Sequence, residues 1–267
     1  MVFDNWPMLL LGRLFDRKTG FVAYRKKGLD ILVDHHGGDQ CGTRLCIATD
    51  MYRKYLPHFK LPSSIRVLDL GGNGGGFPLM LRIEGMDLAR VVSVEMNPLT
   101  YRRLVLNLTT NLGPSAVAIN AAVCGMPQGS EIRIKPSRGG TNESMYKNQA
   151  GTVDEYVSVP TITLQALYDQ YFKSEVLDIV KIDIEGAEFE LFDSSPDELL
   201  QKMRYLIMEI HPMGDSALAK MQTLLARLDS LGFKDITFGE TSGMGLRPEV
   251  RAFAGPAAEA ISPTRAA

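Results

Sequence analysis

Eleven residues, Val67 to Phe77, constrain the fold of this chain more than any other stretch: VLDLGGNGGGF. The apolar pair Val67-Leu68 leads to an acid, Asp69, and the chain then passes through five glycines in six positions. This reads as a buried strand entering a loop that presses close against a ligand. Glycine has no side chain to hold a ligand off the backbone, and it adopts the positive φ angles that a sharp strand-to-helix turn needs. After Phe77 the apolar residues Leu79, Met80, Leu81 and Ile83 predict a helix whose N-terminus points back at the loop.

The rest of the chain repeats this alternation. Strands are predicted at Ile65–Leu70, Arg90–Glu95, Ala116–Asn120, Leu177–Ile184 and Arg204–Ile210, with final strands near Phe233–Gly239 and Arg247–Ala254. Helices are predicted at about Phe77–Met86, after Asn97-Pro98 as N-cap and first turn, after Thr163, after Gly186, and from Ser216 to Leu231. Strands alternating with helices make a parallel sheet of βαβ units. With 267 residues and 45% hydrophobic content, one large α/β domain with a full core is expected. Residues 61–254 form that domain. Residues 1–60 read as an extension: a hairpin of Phe21–Arg25 and Leu29–Asp34, then a cover helix from Cys41 to Phe59. The alanine- and proline-rich tail, 255–267, is expected to fray. Between Ala121 and Ile162 the rhythm changes. Short strands at Glu131–Lys135 and Tyr156–Thr161 flank a polar stretch, Ser137 to Thr152, expected to be a substrate-facing loop.

A net charge of -2 and a pI near 6.1 argue against a nucleic-acid partner. The one basic cluster, Arg25-Lys26-Lys27, reads as a solvated hairpin turn. Three cysteines without CxxC spacing indicate neither a zinc site nor a disulfide framework and fit a reducing cytoplasm. The apolar stretch Met8 to Leu11 is too short for a signal segment or a membrane span.

Open α/β sheets bind ligands beyond the C-terminal ends of their strands, so strand-end residues carry the information. Here they are Asp69, Glu95, Asn120, Asp183 and Glu209 to His211. Glu95 lies 24 residues after Gly71, where an acid commonly accepts from a ribose diol. A nicotinamide dinucleotide would be the obvious occupant, yet the G-x-G-x-x-G register fails from Gly72, where Phe77 stands third, and from Gly74, where Leu79 does. No Gly-Lys-Ser or Gly-Lys-Thr follows to make a phosphate loop.

Lys181 and Asp183 share one face of their strand, and Glu209 and His211 share one face of the next. Adjacent strand ends would bring Asp183, Glu185, Glu209 and His211 together. Two chemistries follow. His211 could take a proton from an acceptor hydroxyl, or Asp183, Glu209 and His211 could hold a divalent cation such as magnesium that acidifies it. Glu188 and Glu190 read as helix-start acids favoured by the macrodipole. His35 and His36 point to opposite faces and read as structural or solvated.

VLDLGGNGGGF, then VEMNP, INAAV, DIVKIDIEGAEFELF and YLIMEIHP, resemble the FkbM family of S-adenosylmethionine-dependent methyltransferases over roughly Ile65 to Pro212. The KIDIEGAE segment is the most specific part. The resemblance implies a doubly wound, seven-stranded, Rossmann-like sheet, parallel except for one antiparallel strand near the end. It implies that Gly71, Gly72, Asn73, Gly75 and Phe77 form the turn under the methionine part of the cofactor, with Asp69 and Asp183 in support. Glu95, with Met96 and Asn97, would bind the ribose, and Asn120 and Ala121 would meet the adenine. Met96 stands where the family usually has proline, and Gln165 where aspartate is common. The catalytic candidates are His211, Asp183, Glu209, Glu185 and Lys181. The expected activity is O-methylation of a sugar, glycolipid or secondary metabolite, with a small-molecule or glycan acceptor. The alternatives are an NAD- or nucleotide-sugar-dependent oxidoreductase, an RNA methyltransferase, which the lack of a basic stretch disfavours, and a homologue that binds cofactor without turnover.

Overall fold

The computed structural model describes residues 2–15, 20–127, 129–136, 156–212, 216–237 and 248–259. In chain order its strands are β1 (Phe21–Lys26), β2 (Leu29–Asp34), β3 (Ser64–Leu70), β4 (Asp87–Glu95), β5 (Ala116–Asn120), β6 (Ala122–Val123), β7 (Glu131–Ile134), β8 (Val157–Ile162), β9 (Leu177–Ile182), β10 (Met203–Ile210), β11 (Lys234–Asp235) and β12 (Glu249–Ala254). The helices are α1 (Trp6–Phe15), α2 (Leu45–Ala48), α3 (Gly76–Ile83), α4 (Pro98–Leu112), α5 (Leu164–Tyr171), α6 (Glu188–Ser194), α7 (Asp197–Leu200) and α8 (Ala217–Ser230).

Seven strands form the main sheet in the order β11-β12-β10-β9-β3-β4-β5. Every pairing from β10 to β5 is parallel, and β12 runs antiparallel to both its neighbours. The chain leaves β3 toward β5, then returns to β9 on the other side of β3. Strand order therefore reverses between β3 and β9, which opens a crevice at their C-terminal ends.

Side-chain alternation sorts the core to both faces of the sheet. On one face Leu68, Leu70, Val180, Ile182, Leu206 and Met208 pack with residues of α5, α6 and α8. On the other, Ile65, Val67, Ile179, Tyr205 and Ile207 pack with α3 and the N-terminal segment. Runs apolar on both faces are what a covered parallel sheet requires.

The N-terminal region departs from expectation. The helix predicted over Cys41–Phe59 is broken into a wide turn at Gln40–Arg44, the single turn of α2, and a 3-10 turn at Arg53–His58. Thr49 stops it: the residue is extended, and its hydroxyl and backbone N–H both bond the Leu45 carbonyl. Pro57 lies in the last turn. The segment is also fastened to the glycine turn. Thr43 Oγ1 donates to Asn73 Oδ1 at 2.8 Å and accepts from Gly74 N at 2.9 Å. Helix α1, absent from the predicted elements, precedes the hairpin. Strand β9 ends at Ile182 rather than Ile184, because Glu185 turns the chain at φ +55°. The tail begins docked: Gly255 N donates to Arg204 O at 2.8 Å and Arg204 Nη1 to Ala257 O at 2.7 Å. The predicted Ser137–Thr152 loop lies outside the described residues.

Candidate active site

The glycine turn follows β3 directly. Gly71 and Gly72 donate their N–H groups to Val94 O at 3.0 and 2.8 Å, which ties the turn to β4. Gly71 has φ +76°, and a Cβ there would fall 1.7 Å from the Asp183 carbonyl oxygen. No side chain fits, so glycine is obligatory where β3 and β9 converge. Asn73, at φ +47°, donates its N–H to Glu95 Oε2 at 2.9 Å. Gly75, at φ +88°, precedes α3 and packs on Leu104 and Leu108 behind the turn.

Glu95, at the end of β4, therefore has a double constraint, since its Oε1 accepts from Asn97 N at 2.7 Å. Asn97 caps α4 through Leu99 N. Asn120 pairs with Glu95 in register and donates to the Glu95 and Met96 carbonyls at 2.8 and 2.9 Å. Its side chain holds the β4 end in place, while the next residue, Ala121, lines the cleft.

The cleft beside these groups has a volume of about 340 Å3. Gly71, Gly72, Asn73, Phe77, Glu95, Met96, Asn97, Ala121, Lys181, Asp183, Glu185, Glu209 and His211 all line it. Among the sequence candidates, Asp69, Gly75 and Asn120 stand behind its wall. Asp69 is fully buried, accepts from Ser93 Oγ at 2.9 Å and faces Lys181 Nζ at 3.6 Å. Burial raises its pKa despite the neighbouring ammonium.

Lys181 lies in the floor of the cleft. Its buried ammonium donates to Gly71 O at 2.7 Å and lies 3.3 Å from Asp183 Oδ2. Burial opposes that charge, but the carboxylates of Asp183 and Asp69 outweigh it and hold the pKa above the ordinary lysine value. An ammonium so buried is costly unless paired; here it fixes the glycine turn against β9. Tyr52, which the sequence reading did not single out, lies edge-on to Phe77 and donates to Asp183 Oδ2 at 3.4 Å.

At the other end of the cleft stands His211, 7% exposed. Its Nδ1 lies 2.9 Å from Glu188 Oε1. Glu188 is fully buried and also accepts from Ile184 N at 3.1 Å and Gly186 N at 3.0 Å. It is the helix-start acid expected, in the first turn of α6, and it is also buried and paired. Its helical position closes the β9 turn and aims the imidazole, and the E-G-A-E spacing was the sequence signal for it. His211 Nε2 faces Glu185 Oε2 at 3.5 Å, and Asp183 Oδ1 and Glu209 Oε1 at 3.9 Å each. Burial would lower the imidazole pKa, but the hydrogen bond and charge of Glu188, with Glu185 and Asp183, raise it to about 9. Burial and Asp183 push the Glu209 carboxyl up. The four candidates expected at this end are thus together.

The profile of the methyltransferase FkbM domain matches residues 69–234, which span both the glycine turn and the histidine cluster. The chain belongs to the FkbM methyltransferase family. Among curated proteins it is similar to methyltransferase sdnD of Sordaria araneosa, 25% identical over 177 residues that cover 56% of this chain and 67% of the relative. Among solved structures it is similar to the FkbM methyltransferase of Methylobacillus flagellatus, with 13% identity, a TM-score of 0.49, and 76% of this chain covered. The match spans 46% of that protein, so this chain corresponds to about half its length. The O-methyltransferase of Bacillus cereus in complex with S-adenosylhomocysteine is similar at 13% identity and a TM-score of 0.42, covering 71% of this chain and 73% of that one.

Proposed function

We propose that this FkbM methyltransferase transfers the methyl group of S-adenosylmethionine to a hydroxyl of a sugar, glycolipid or secondary metabolite. The observation that carries the reading is the Glu188–His211 pair at one end of the cleft, with the glycine turn and Glu95 at the other. The residues present suit this donor. Backbone is bare at Gly71 and Gly72, a carboxylate is fixed at the β4 end, and Met96, Ala121 and Val123 give an apolar wall for a flat base. Glu95 would hold the ribose hydroxyls, and Asp183 with the turn would hold the methionine end.

When bound, S-adenosylmethionine supplies an electrophilic methyl group, and the protein's task is to align the acceptor oxygen with it. Most of the acceleration would come from that alignment. His211 adds a base. With Nδ1–H donated to Glu188, the neutral imidazole presents Nε2 to the cleft, where it would take the acceptor proton as the methyl carbon leaves the sulfonium sulfur, now a thioether, for the acceptor oxygen. Such a base contributes roughly 10²–10⁴-fold.

Asp183, Glu209 and His211 each offer a ligand atom within 4.8 Å of the others, the set a divalent cation would use. Metal binding would need the neutral imidazole, as base catalysis does, so protonation does not separate the two roles; no step is assigned to a metal here, and a chelator distinguishes them.

Labelled S-adenosylmethionine incubated with a panel of sugars, glycolipids and hydroxylated metabolites tests the reading. A labelled methyl ether is expected. His211→Ala should keep S-adenosylhomocysteine binding and lose about 10²–10⁴-fold in turnover; full activity in that variant would remove the base, and label found only on amines would remove the O-methyl assignment.

A further inference from the structure

Helix α1 presents an apolar surface that the described residues leave exposed. Trp6 and Met8 are 39% and 67% exposed, and Val2, Leu10 and Leu11 are exposed beside them. A contiguous group of this kind marks an interaction surface more often than single exposed apolar residues do. The helix is not loosely attached. Phe3 packs on the Tyr24 ring at 4.5 Å between centroids, and Leu9 packs on the core. Asn5 grips β1, donating to Ala23 O and accepting from Arg25 N, each at 2.9 Å. Asp4 Oδ2 accepts from Lys27 N at 2.7 Å. The apolar face is thereby held in fixed relation to the basic turn Arg25-Lys26-Lys27.

We propose that α1 and this turn form a docking surface for an anionic lipid membrane, on which the protein rests without crossing it. Among the described residues of this surface Arg25, Lys26 and Lys27 stand against two acids, with Arg25 2.8 Å from Asp30 and Lys26 3.7 Å from Asp4, so the rim carries one positive charge in excess, whereas the whole chain has a net charge of -2. An apolar helix with tryptophan, next to a basic rim, is suited to the boundary between acyl chains and anionic headgroups. With ten residues α1 is too short to span a bilayer, and no helix among the described residues is long and apolar enough to do so. A second copy of the chain fits the surface less well. A symmetric contact through α1 would bring two like-charged turns together.

Trp6 is the only tryptophan in the chain, so its fluorescence reports this surface directly. The full chain is mixed with vesicles of phosphatidylcholine containing phosphatidylglycerol, and with vesicles of phosphatidylcholine alone. The proposal expects a blue shift and co-sedimentation with the anionic vesicles, both weakened by salt. L10D/L11D should cut vesicle binding at least tenfold, and R25E/K26E severalfold, with the circular dichroism and S-adenosylhomocysteine binding of the wild type retained. No blue shift with anionic vesicles overturns the proposal. So does equal binding to neutral vesicles that charge reversal leaves unchanged. A vesicle-free blue shift that grows with protein concentration alongside dimer formation would give the surface to a second copy instead. L10D/L11D that lost vesicle binding only by losing its fold would leave the wild-type and charge-reversal arms to decide.

Discussion

Glu188→Gln changes one atom of a buried side chain and should move the titration of His211. In the native protein Glu188 Oε1 faces His211 Nδ1 and Ile184 N, while Oε2 accepts from Gly186 N. The surrounding carboxylates raise the imidazole pKa from 6.5 to about 9. At about 1.4 kcal/mol per pH unit, that difference favours the imidazolium by roughly 3 kcal/mol. Glutamine retains an oxygen for Nδ1–H but removes the charge, and Glu188 is the largest of the raising influences. Burial, which lowers the pKa, then counts for more, and His211 should titrate more than one pH unit lower. The amide also turns an N–H donor toward Gly186 N–H, leaving a buried donor unpaired at about 1–3 kcal/mol, so the melting temperature should fall as well. The chain has four histidines, few enough for their ring signals to be followed by NMR across pH and assigned with His211→Gln. Equal His211 titration in the native protein and Glu188→Gln, with both near 6.5, would refute the pairing as the source of the raised pKa.

Other outcomes follow from the same geometry. A base must be neutral to accept a proton, so methyl transfer should rise with pH through the neutral range, pass its half-maximum near pH 9, the value for His211, and level above it; a bell centred below pH 7 would contradict this. The same raised pKa implies stability that is fully present below about pH 6.5 and lost as pH climbs through about 9, which thermal melts at pH 6 and pH 10 would show, with His211→Gln flattening the difference. Gly71→Ala, whose Cβ would strike the Asp183 carbonyl, should cost well above the roughly 1–2 kcal/mol of a positive φ alone, whereas Gly85→Ala, with nothing within 4 Å, should cost only that; equal losses in urea melts would contradict the close approach. Activity should survive a chelator, and loss that magnesium restores would reinstate the cation at Asp183, Glu209 and His211.

The main sheet was legible because its signals are local. Five of its strands are apolar runs that stop at polar residues, and Asn97-Pro98 and Thr163 announce α4 and α5 as they cap them. Breaks in the N-terminal segment were harder to see. Apolar spacing from Leu45 to Leu56 suits a helix, but Thr49 and Pro57 decide otherwise through bonds that spacing cannot show. The site was legible as a set of strand ends and less so as a set of partners. Glu188 begins α6 as its sequence position suggests, but its burial and its partner His211, 23 residues away in sequence, depend on the turn at Glu185. Asn120 ends its strand as expected, yet the neighbouring β4 carbonyls use its amide. Lys181 shares its strand face with Asp183, 3.3 Å away, but the sequence gives no sign that the buried Asp69, behind the cleft wall, lies 3.6 Å from the same ammonium.

In the proposed function the glycine turn and Glu95 hold the methyl donor beside the Glu188–His211 pair. Calorimetric titration with S-adenosylhomocysteine, on the native chain and on Glu95→Ala, tests it most directly. A carboxylate accepting two ligand hydroxyls in a buried cleft contributes about 1.5–3 kcal/mol, so binding by the native chain should weaken at least tenfold in Glu95→Ala and remain within severalfold in His211→Ala. Equal binding by the native chain and Glu95→Ala, or binding of NAD with no response to S-adenosylhomocysteine, would contradict the account.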